Sequence, residues 1–396
     1  MKIAGSIHAL VAALAFVCTN AAWAAAYLPA SDTDVLEQLP LQSGSHADRM
    51  TRALQTLLAR DPNNLDVALR LAQVYVERAR SESDPRQLGH AQATLAPWWD
   101  EEAPAVPVVL LRATIRQSSH QFDAARADLQ QIIAREPANA QALLTLATVQ
   151  QVTGDLASAR TSCAHVAAAA AVAIGAICTA AVDGVSGNAA AAFDTIDALL
   201  ARPGALVGAL HVQTWAMTLQ AELAERLGRP LDAERWYHAS LAIDPSDAYT
   251  IAAYADFLLD SGRPADVVAL IALDTPVDVL LLRRAQADRA LGSADAARSA
   301  RDLADRFAAL RERGDRVHLR EEARFTLAIQ GVPDAALELA LQNWNVQKEP
   351  LDARIALECA LAARRPHAVD DVVRWVDQTH LQGVRLAQLM REVRAP

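Results

Sequence analysis

The most constraining feature of this sequence is a recurring interval of 34 residues between turn-forming positions. Gly228 and Gly262 are 34 residues apart with Pro245 halfway between them, and Gly154 follows Pro137 by the same half-interval of 17 residues. This period is typical of stacked helical hairpins, because glycine and proline interrupt helices at the same place in each unit. Stacked hairpins present an extended surface, so the interval favours a binding function over catalysis.

The composition favours an all-helical chain and excludes one class of partner. Of the 396 residues, 52% are hydrophobic but only 5% are aromatic and 15 are glycine, which is unfavourable for a β-sandwich or barrel. Much of the apolar content is alanine, the strongest helix former. The formal net charge is −10. Because a nucleic-acid partner requires a basic face, we expect none.

Residues 1–25 are predicted to form a secretory signal peptide. A lysine near the start precedes a short apolar core at Ile7–Val17, and small residues allow cleavage near Ala24–Ala26. Two alternatives remain open: an uncleaved anchor, for which the apolar run is short, and a lipoprotein modified at Cys18. We expect a periplasmic or secreted protein with no integral membrane span after cleavage.

The rest of the chain is predicted to contain three segments. Residues 26–46 form an extended arm, residues 47–275 form a regular array of helical hairpins, and residues 276–396 form degenerate helical repeats and a C-terminal cap helix. The expected fold is an all-α, right-handed solenoid of about nine hairpins with an extra helix at each end. One unit is longer than the others, and its first helix is predicted at Leu206–Leu227.

Several repeats share a signature of small residues early in each helix, a turn glycine and a following proline. Its residues are Ala113, Phe122, Ala125 and Pro137 in one repeat, Leu146, Ala147, Gly154 and Ala159 in the next, and Ala221, Gly228, Ala233, Tyr237 and Pro245, then Tyr254, Ala255, Gly262 and Val267, in two others. The chain resembles the tetratricopeptide repeat (TPR) family over nearly all of the mature sequence. The match is best between Val106 and Gly262. Beyond about Thr275, unrelated helical repeats are the alternative.

The resemblance implies that the first helix of each hairpin lines a concave groove that binds a protein or peptide. The residues placed there are Glu77, Thr114, Gln117, Thr148, Gln151, Thr218, Glu222, Glu225, Arg226, Asp256 and Asp260, with the aromatic residues Trp215 and Tyr249 at the edge. Each of these two aromatic residues is either a binding anchor or part of the packing between repeats. The carboxylates make the groove polar to acidic, which suits a basic or neutral extended segment.

No catalytic or metal-binding pattern is found. The ten histidines are scattered, with no pair four residues apart, and phosphate-binding and nucleophile motifs are absent. We therefore expect no enzyme activity, no metal and no cofactor. One conspicuous patch remains: Trp98 and Trp99 precede Asp100, Glu101 and Glu102. Adjacent residues on a helix cannot face the same side, so one tryptophan either packs inside while the other is exposed, or both are structural.

Cys163 and Cys178 are predicted to form a disulfide bond. They are equidistant from a turn near residues 170–171, and antiparallel helices would bring them face to face. An exported chain meets oxidising conditions in which the bond forms. The alternative is a pair of buried thiols, because packed helices usually lie farther apart than a disulfide spans. The surrounding apolar run, Ala164–Val182, is interpreted as a helical hairpin rather than a membrane span.

The sequence therefore predicts a periplasmic or secreted interaction scaffold, with a role in envelope assembly or export as its most specific form. The alternative from another class is a small-molecule or glycan-binding solenoid that uses Trp215, Tyr249 or Trp98. An enzyme with an unrecognised site is a third hypothesis, without a residue to support it.

Overall fold

A computed structural model describes residues 46–82, 84–202, 204, 206, 209–314 and 316–395. The chain divides into two units, Met1–Met50 and Thr51–Pro396. Of the first unit, the structure describes the beginning of helix α1. The second unit contains the rest of α1 and all the other helices. The predicted signal peptide and nearly all of the predicted arm lie outside the described residues.

Within the described residues the fold is all-α, as predicted. The helices are α1 (His46–Arg60), α2 (Leu65–Glu82), α3 (Arg86–Thr94), α4 (Ala96–Trp99), α5 (Val106–Ser118), α6 (Phe122–Arg135), α7 (Ala140–Val152), α8 (Leu156–Ala169), α9 (Val172–Gly184), α10 (Ala189–Leu200), α11 (Leu210–Arg226), α12 (Pro230–Ile243), α13 (Ala248–Asp260), α14 (Pro264–Leu270), α15 (Asp278–Leu291), α16 (Ala296–Glu312), α17 (Leu319–Phe325), α18 (Pro333–Val346), α19 (Pro350–Ala362), α20 (Asp370–Thr379) and α21 (Val384–Arg394). Helix α17 continues as a π-helical turn over Thr326–Gln330.

These helices form nine hairpins in the part of the chain that is described, with α1 and α21 at the two ends. The solenoid organisation predicted from the 34-residue interval is therefore confirmed. One boundary differs: the long first helix predicted at Leu206–Leu227 is shorter, because α11 begins at Leu210. Gly208 lies two residues before this start, and glycine disfavours a helix interior.

A single type of turn closes the hairpins. After α11, Gly228 has φ +69°, and the next backbone N–H donates to the carbonyl of Ala224 at 2.8 Å. After α5, His120 has φ +56°, and the next N–H donates to the carbonyl of Arg116, also at 2.8 Å. This pattern caps the free carbonyls at the end of a helix. The left-handed conformation recurs at Gly154, Gly187, Gly262, Gly292, Gly331 and Arg364.

The small residues of the repeat signature lie at the crossings between helices. Exposed fractions are 0–2% for all of them: Ala113, Ala125, Ala147, Ala159, Ala221, Ala233 and Ala255. Because a methyl group adds little thickness, the two helices of each hairpin approach closely over these positions. Tyr237, from the same signature, is also buried at 1% exposure.

A disulfide bond joins Cys163 on α8 to Cys178 on α9, with a Cα–Cα distance of 5.4 Å. The two helices approach unusually closely here, because a Cβ built on Gly175 would lie 2.3 Å from the Cβ of Ala167. Only glycine is compatible with this contact, which brings the cysteines within bonding distance. The apolar run Ala164–Val182 is divided between α8 and α9. Cys359 is a buried free thiol.

The C-terminal helices pack against hairpins far earlier in the chain. The N–H of Lys348 donates to the carbonyl of Val152 at 2.7 Å, and the Oε1 atom of Gln382 accepts from the N–H of Ala189 at 3.2 Å. One hydrophobic cluster combines residues of α7–α9 with residues of α18–α21. The turn after α9 is involved too, since a Cβ on Gly187 would lie 2.9 Å from the Cβ of His380. The later helices therefore cover the first helices of the middle hairpins.

Candidate functional site

The predicted groove residues lie on five first helices. Their positions are Glu77 on α2, Thr114 and Gln117 on α5, Thr148 and Gln151 on α7, Trp215, Thr218, Glu222, Glu225 and Arg226 on α11, and Tyr249, Asp256 and Asp260 on α13. The structure brings most of the α11 and α13 residues together in one polar layer. Those on α2, α5 and α7 form a separate stretch of the same face.

Two of the α11 residues contribute to packing. Thr218 is 3% exposed, and its hydroxyl lies 2.9 Å from that of Ser240 and 2.7 Å from that of Thr250. Trp215 is partly buried and packs against two hydrophobic clusters. These side chains hold neighbouring hairpins together in this structure, so neither presents a free binding surface.

Glu222 and Tyr249 link α11 to α13. The Tyr249 hydroxyl donates to Oε1 of Glu222 at 2.6 Å, and a nitrogen of Arg226 lies 3.6 Å from the other carboxylate oxygen. Tyr249 as a whole is 64% exposed. Of the aromatic residues predicted at the groove edge, it is the one that solvent and a ligand can reach.

Glu225 is a buried carboxyl group in the same layer. Burial raises its pKa to about 8, and the nearby carboxylates of Glu222, Asp260 and Asp256 add to the shift. The Tyr237 hydroxyl donates to Oε1 of Glu225 at 2.5 Å, which partly opposes the shift by stabilising the ionised form. Near neutral pH a large fraction of Glu225 is therefore protonated, and the groove carries less negative charge than its carboxyl count indicates.

Asp256 is paired with two arginines of the chain itself. Arg283 on α15 donates to both carboxylate oxygens at 3.1 and 2.8 Å, and a nitrogen of Arg324 on α17 lies 2.6 Å from Oδ1. Burial alone would raise the pKa of Asp256, but the two guanidinium groups hold it well below its usual range. Asp256 is therefore ionised and fully engaged within the fold.

Asp260 has an equivalent partner still farther along the chain. Arg354 on α19 donates to both of its oxygens at 2.5 and 2.6 Å. The same guanidinium group binds Glu358 at 3.1 Å, and Glu358 accepts from Arg385 on α21 at 3.2 Å. A chain of ion pairs thus connects the groove of the middle hairpins to the last helix. Planar arginine groups suit such paired contacts with carboxylates.

Sequence reasoning identified the carboxylates but missed their partners. Arg283, Arg324 and Arg354 all lie beyond Thr275, where the repeat signature fades. The acidic groove predicted a basic segment as its occupant, and the C-terminal third of the chain supplies one. The bias towards arginine over lysine was the available signal, but nothing in the local pattern connects an arginine to an aspartate 94 residues away.

The shared turn and the buried small residues at each crossing define the type of repeat. The chain is an array of TPR-type helical hairpins. No protein-family profile matches the chain, and no curated protein matches it.

Solved structures of low identity are similar to this array. The crystal structure of the APC/C hetero-tetramer Cut9–Hcn1 includes a chain 12% identical, with a TM-score of 0.44, covering 89% of this chain and 61% of that one. A human IFIT1 dimer with m7Gppp-AAAA is 11% identical, with a TM-score of 0.46, covering 88% and 85%. Yeast Tom70 is 10% identical, with a TM-score of 0.40, covering 88% and 84%. At such identities, what those proteins bind is a property of those proteins.

The TPR-type array leaves one stretch of its first helices uncovered. Between α2 and α5 lies a cavity of about 410 Å³, lined by Asp66, Leu69, Arg70, Gln73, Pro107, Leu110 and Leu111. Glu77 and Thr148 are exposed on the same series of first helices, and Gln117 and Gln151 are half-buried. This stretch combines apolar walls with amide, hydroxyl and charged groups, which is the chemistry of a peptide-binding surface.

The described residues contain no group of three histidine, cysteine, aspartate or glutamate side chains arranged to hold a metal ion. In the same part of the chain, no helix has both the length and the apolar character that crossing a bilayer requires.

The elevated pKa of Glu225 predicts an unusual dependence of stability on pH. Between about pH 4 and pH 8 the folded state binds a proton that the unfolded state releases, so this group lowers stability as the pH rises. Glu225→Gln keeps an acceptor for Tyr237 but cannot ionise. We expect its thermal midpoint to exceed that of the parent by about 2 °C or more at pH 9, with little difference at pH 5.

Thermal unfolding followed by circular dichroism from pH 5 to 9 measures this effect. Glu338, an exposed carboxylate on α18, provides the matched control. Glu338→Gln should follow the parent at every pH. If Glu225→Gln also follows the parent, the buried carboxyl group is not the source of the pH dependence.

Proposed function

We propose that this chain is an exported, non-enzymatic scaffold that binds a protein or peptide segment on the concave side of its first hairpins. The observation that carries the proposal is the division of this face. The carboxylates of α13 are held by the chain's own arginines, whereas the stretch along α2, α5 and α7 is open and contains the cavity between α2 and α5. The ligand segment is neutral to weakly charged, since Asp66 and Arg70 flank the apolar wall with opposite signs.

Two features support an exported location. The N-terminal 25 residues have the pattern of a signal peptide. The disulfide between Cys163 and Cys178 is of a kind that persists in oxidising compartments. A role in envelope assembly or export is the corresponding biological context, and it rests on this location together with the scaffold fold.

Site-specific photo-crosslinking tests the binding surface. A photoreactive amino acid replaces Gln117 on α5, which lies on the open stretch, and in a matched control it replaces Gln130, which is exposed on the second helix α6. In the cell envelope, we expect the Gln117 position to crosslink one protein in high yield and the Gln130 position to give none. Leu110→Glu, which places a charge in the apolar wall, should reduce that yield at least tenfold while the circular dichroism spectrum is retained.

Equal crosslinking at both positions, or an unchanged yield with Leu110→Glu, would contradict the proposed surface. Absence of any protein adduct at Gln117 would favour the small-molecule or glycan alternative. In that case Tyr249, the exposed aromatic residue on α13, is the first residue to test.

A further inference from the structure

A second cavity lies on the opposite side of the first hairpin, among its second helices. It has a volume of about 320 Å³ and is lined by Gly89, Gln92, Ala93, Ala96, Trp99 and Asp100. Small residues form much of its wall, so it is wide enough for a side chain to enter. A Cβ built on Gly89 would meet no atom within 4 Å, which confirms that this wall is open.

Trp99 is held rigidly at the edge of this cavity. Its carbonyl accepts a hydrogen bond from Arg112, and its ring lies 5.6 Å from the guanidinium carbon of Arg116. Both arginines are fixed by the buried carboxylate of Asp128, at 2.7 Å from each. Because its position is set before any ligand arrives, Trp99 loses little conformational freedom on binding.

Trp98, by contrast, packs against the hydrophobic cluster of the first hairpin and does not line the cavity. The two adjacent tryptophans thus face different surroundings, as expected of neighbouring residues on a helix. Trp98 therefore offers a matched control for Trp99.

Three exposed carboxylates adjoin the cavity. Asp100 is part of its lining, and Glu101 and Glu102 follow directly. Within the described part of the chain, none of the three forms an ion pair, unlike the carboxylates of the concave face. A rigid indole next to unpaired negative charge attracts a cation that also carries a flat or apolar surface.

We propose that this cavity is a docking site for an exposed arginine side chain of a partner protein. The aliphatic stem lies against Ala93 and Ala96, the guanidinium group stacks on the Trp99 indole, and its N–H groups donate to Asp100. Arginine suits this site better than lysine, because its planar group both stacks on aromatic rings and pairs with a carboxylate. The site is separate from the open stretch of α2, α5 and α7, so the scaffold has a contact on each side of its first hairpins.

The test uses the mature protein labelled with ¹⁵N at its tryptophan indoles. The probes are the peptide acetyl-Gly-Arg-Gly-amide and its citrulline analogue, which has the same shape without the charge. The Trp99 signal is assigned from Trp99→Phe, and Trp98→Phe serves as the control. We expect the arginine peptide to shift the Trp99 indole signal with a dissociation constant of about 1–10 mM, as befits a single side chain, and the citrulline peptide to bind at least fivefold more weakly.

Gly89→Leu fills the cavity without a clash and should abolish the shift. Ala127→Leu, on an exposed position of α6, adds the same side chain elsewhere and should leave the shift unchanged. Replacing Asp100, Glu101 and Glu102 with their amides should weaken binding to the level of the citrulline peptide. The proposal is overturned if the arginine peptide does not shift Trp99, if citrulline binds equally well, or if Gly89→Leu still binds. Retention of the open-groove crosslink at Gln117 in Gly89→Leu would distinguish this site from the proposed scaffold surface.

Discussion

Replacing Asp256 with asparagine is expected to lower the free energy of unfolding by about 3–5 kcal/mol. The side chains of Arg283 and Arg324 are only 4% and 12% exposed, and both depend on this single carboxylate. Asparagine keeps the shape of the side chain but removes the charge, so two buried guanidinium groups would face each other without compensation. Urea denaturation followed by circular dichroism measures the loss.

The exposed pair between Asp334 and Arg365 provides the control. Its oxygen and nitrogen are 3.7 Å apart, and the side chains are 69% and 54% exposed. Asp334→Asn should change the free energy of unfolding by less than about 0.5 kcal/mol, because water replaces a surface partner readily. A loss below 1 kcal/mol for Asp256→Asn would show that the three-residue cluster is not an important source of stability.

Removing the disulfide bond by replacing Cys163 and Cys178 with alanine is expected to cost about 3 kcal/mol of stability. The bond closes a loop of 15 residues, and cross-linking a loop of this size restricts the unfolded chain by about that amount. Denaturant unfolding of the parent and the double variant, each with and without reductant, measures the effect.

Reductant should destabilise the parent by a similar amount and leave the double variant unchanged. Cys359→Ala, at the free buried thiol, separates loss of the bond from loss of a small core side chain. This variant should remain sensitive to reductant. A parent protein that is indifferent to reductant would contradict a structural role for the bond.

Local pattern was sufficient to predict the architecture. Glycines such as Gly228 marked the turns because a left-handed residue is needed to cap each first helix. His120 occupies the same conformation without being glycine, and the 34-residue spacing to Gly154 located it. The equal distance of Cys163 and Cys178 from their turn likewise indicated the pair that is bonded.

The contacts between distant hairpins could not be predicted in this way. The pairing of Asp260 with Arg354 depends on how far the stacked hairpins curve, and curvature accumulates from small rotations at every repeat. Sequence spacing records none of these rotations. The same holds for the contact of Trp375 with the turn at Gly154, where a Cβ would lie 3.2 Å from the indole nitrogen. The groove was therefore predicted as one continuous surface, whereas its middle is filled by the chain's own helices.

This self-filling has a consequence for the order in which the protein matures. Synthesis and export proceed from the N-terminus, so α13 emerges well before the arginine on α19 that neutralises Asp260. Until then the middle hairpins carry hydrated, unpaired carboxylates and an uncovered apolar face, and their final packing has to wait for the C-terminal residues. Folding thus cannot finish hairpin by hairpin as the chain appears, as it can in an open repeat array. The last helices act as a completion signal, because only a chain synthesised to its end can close its own middle.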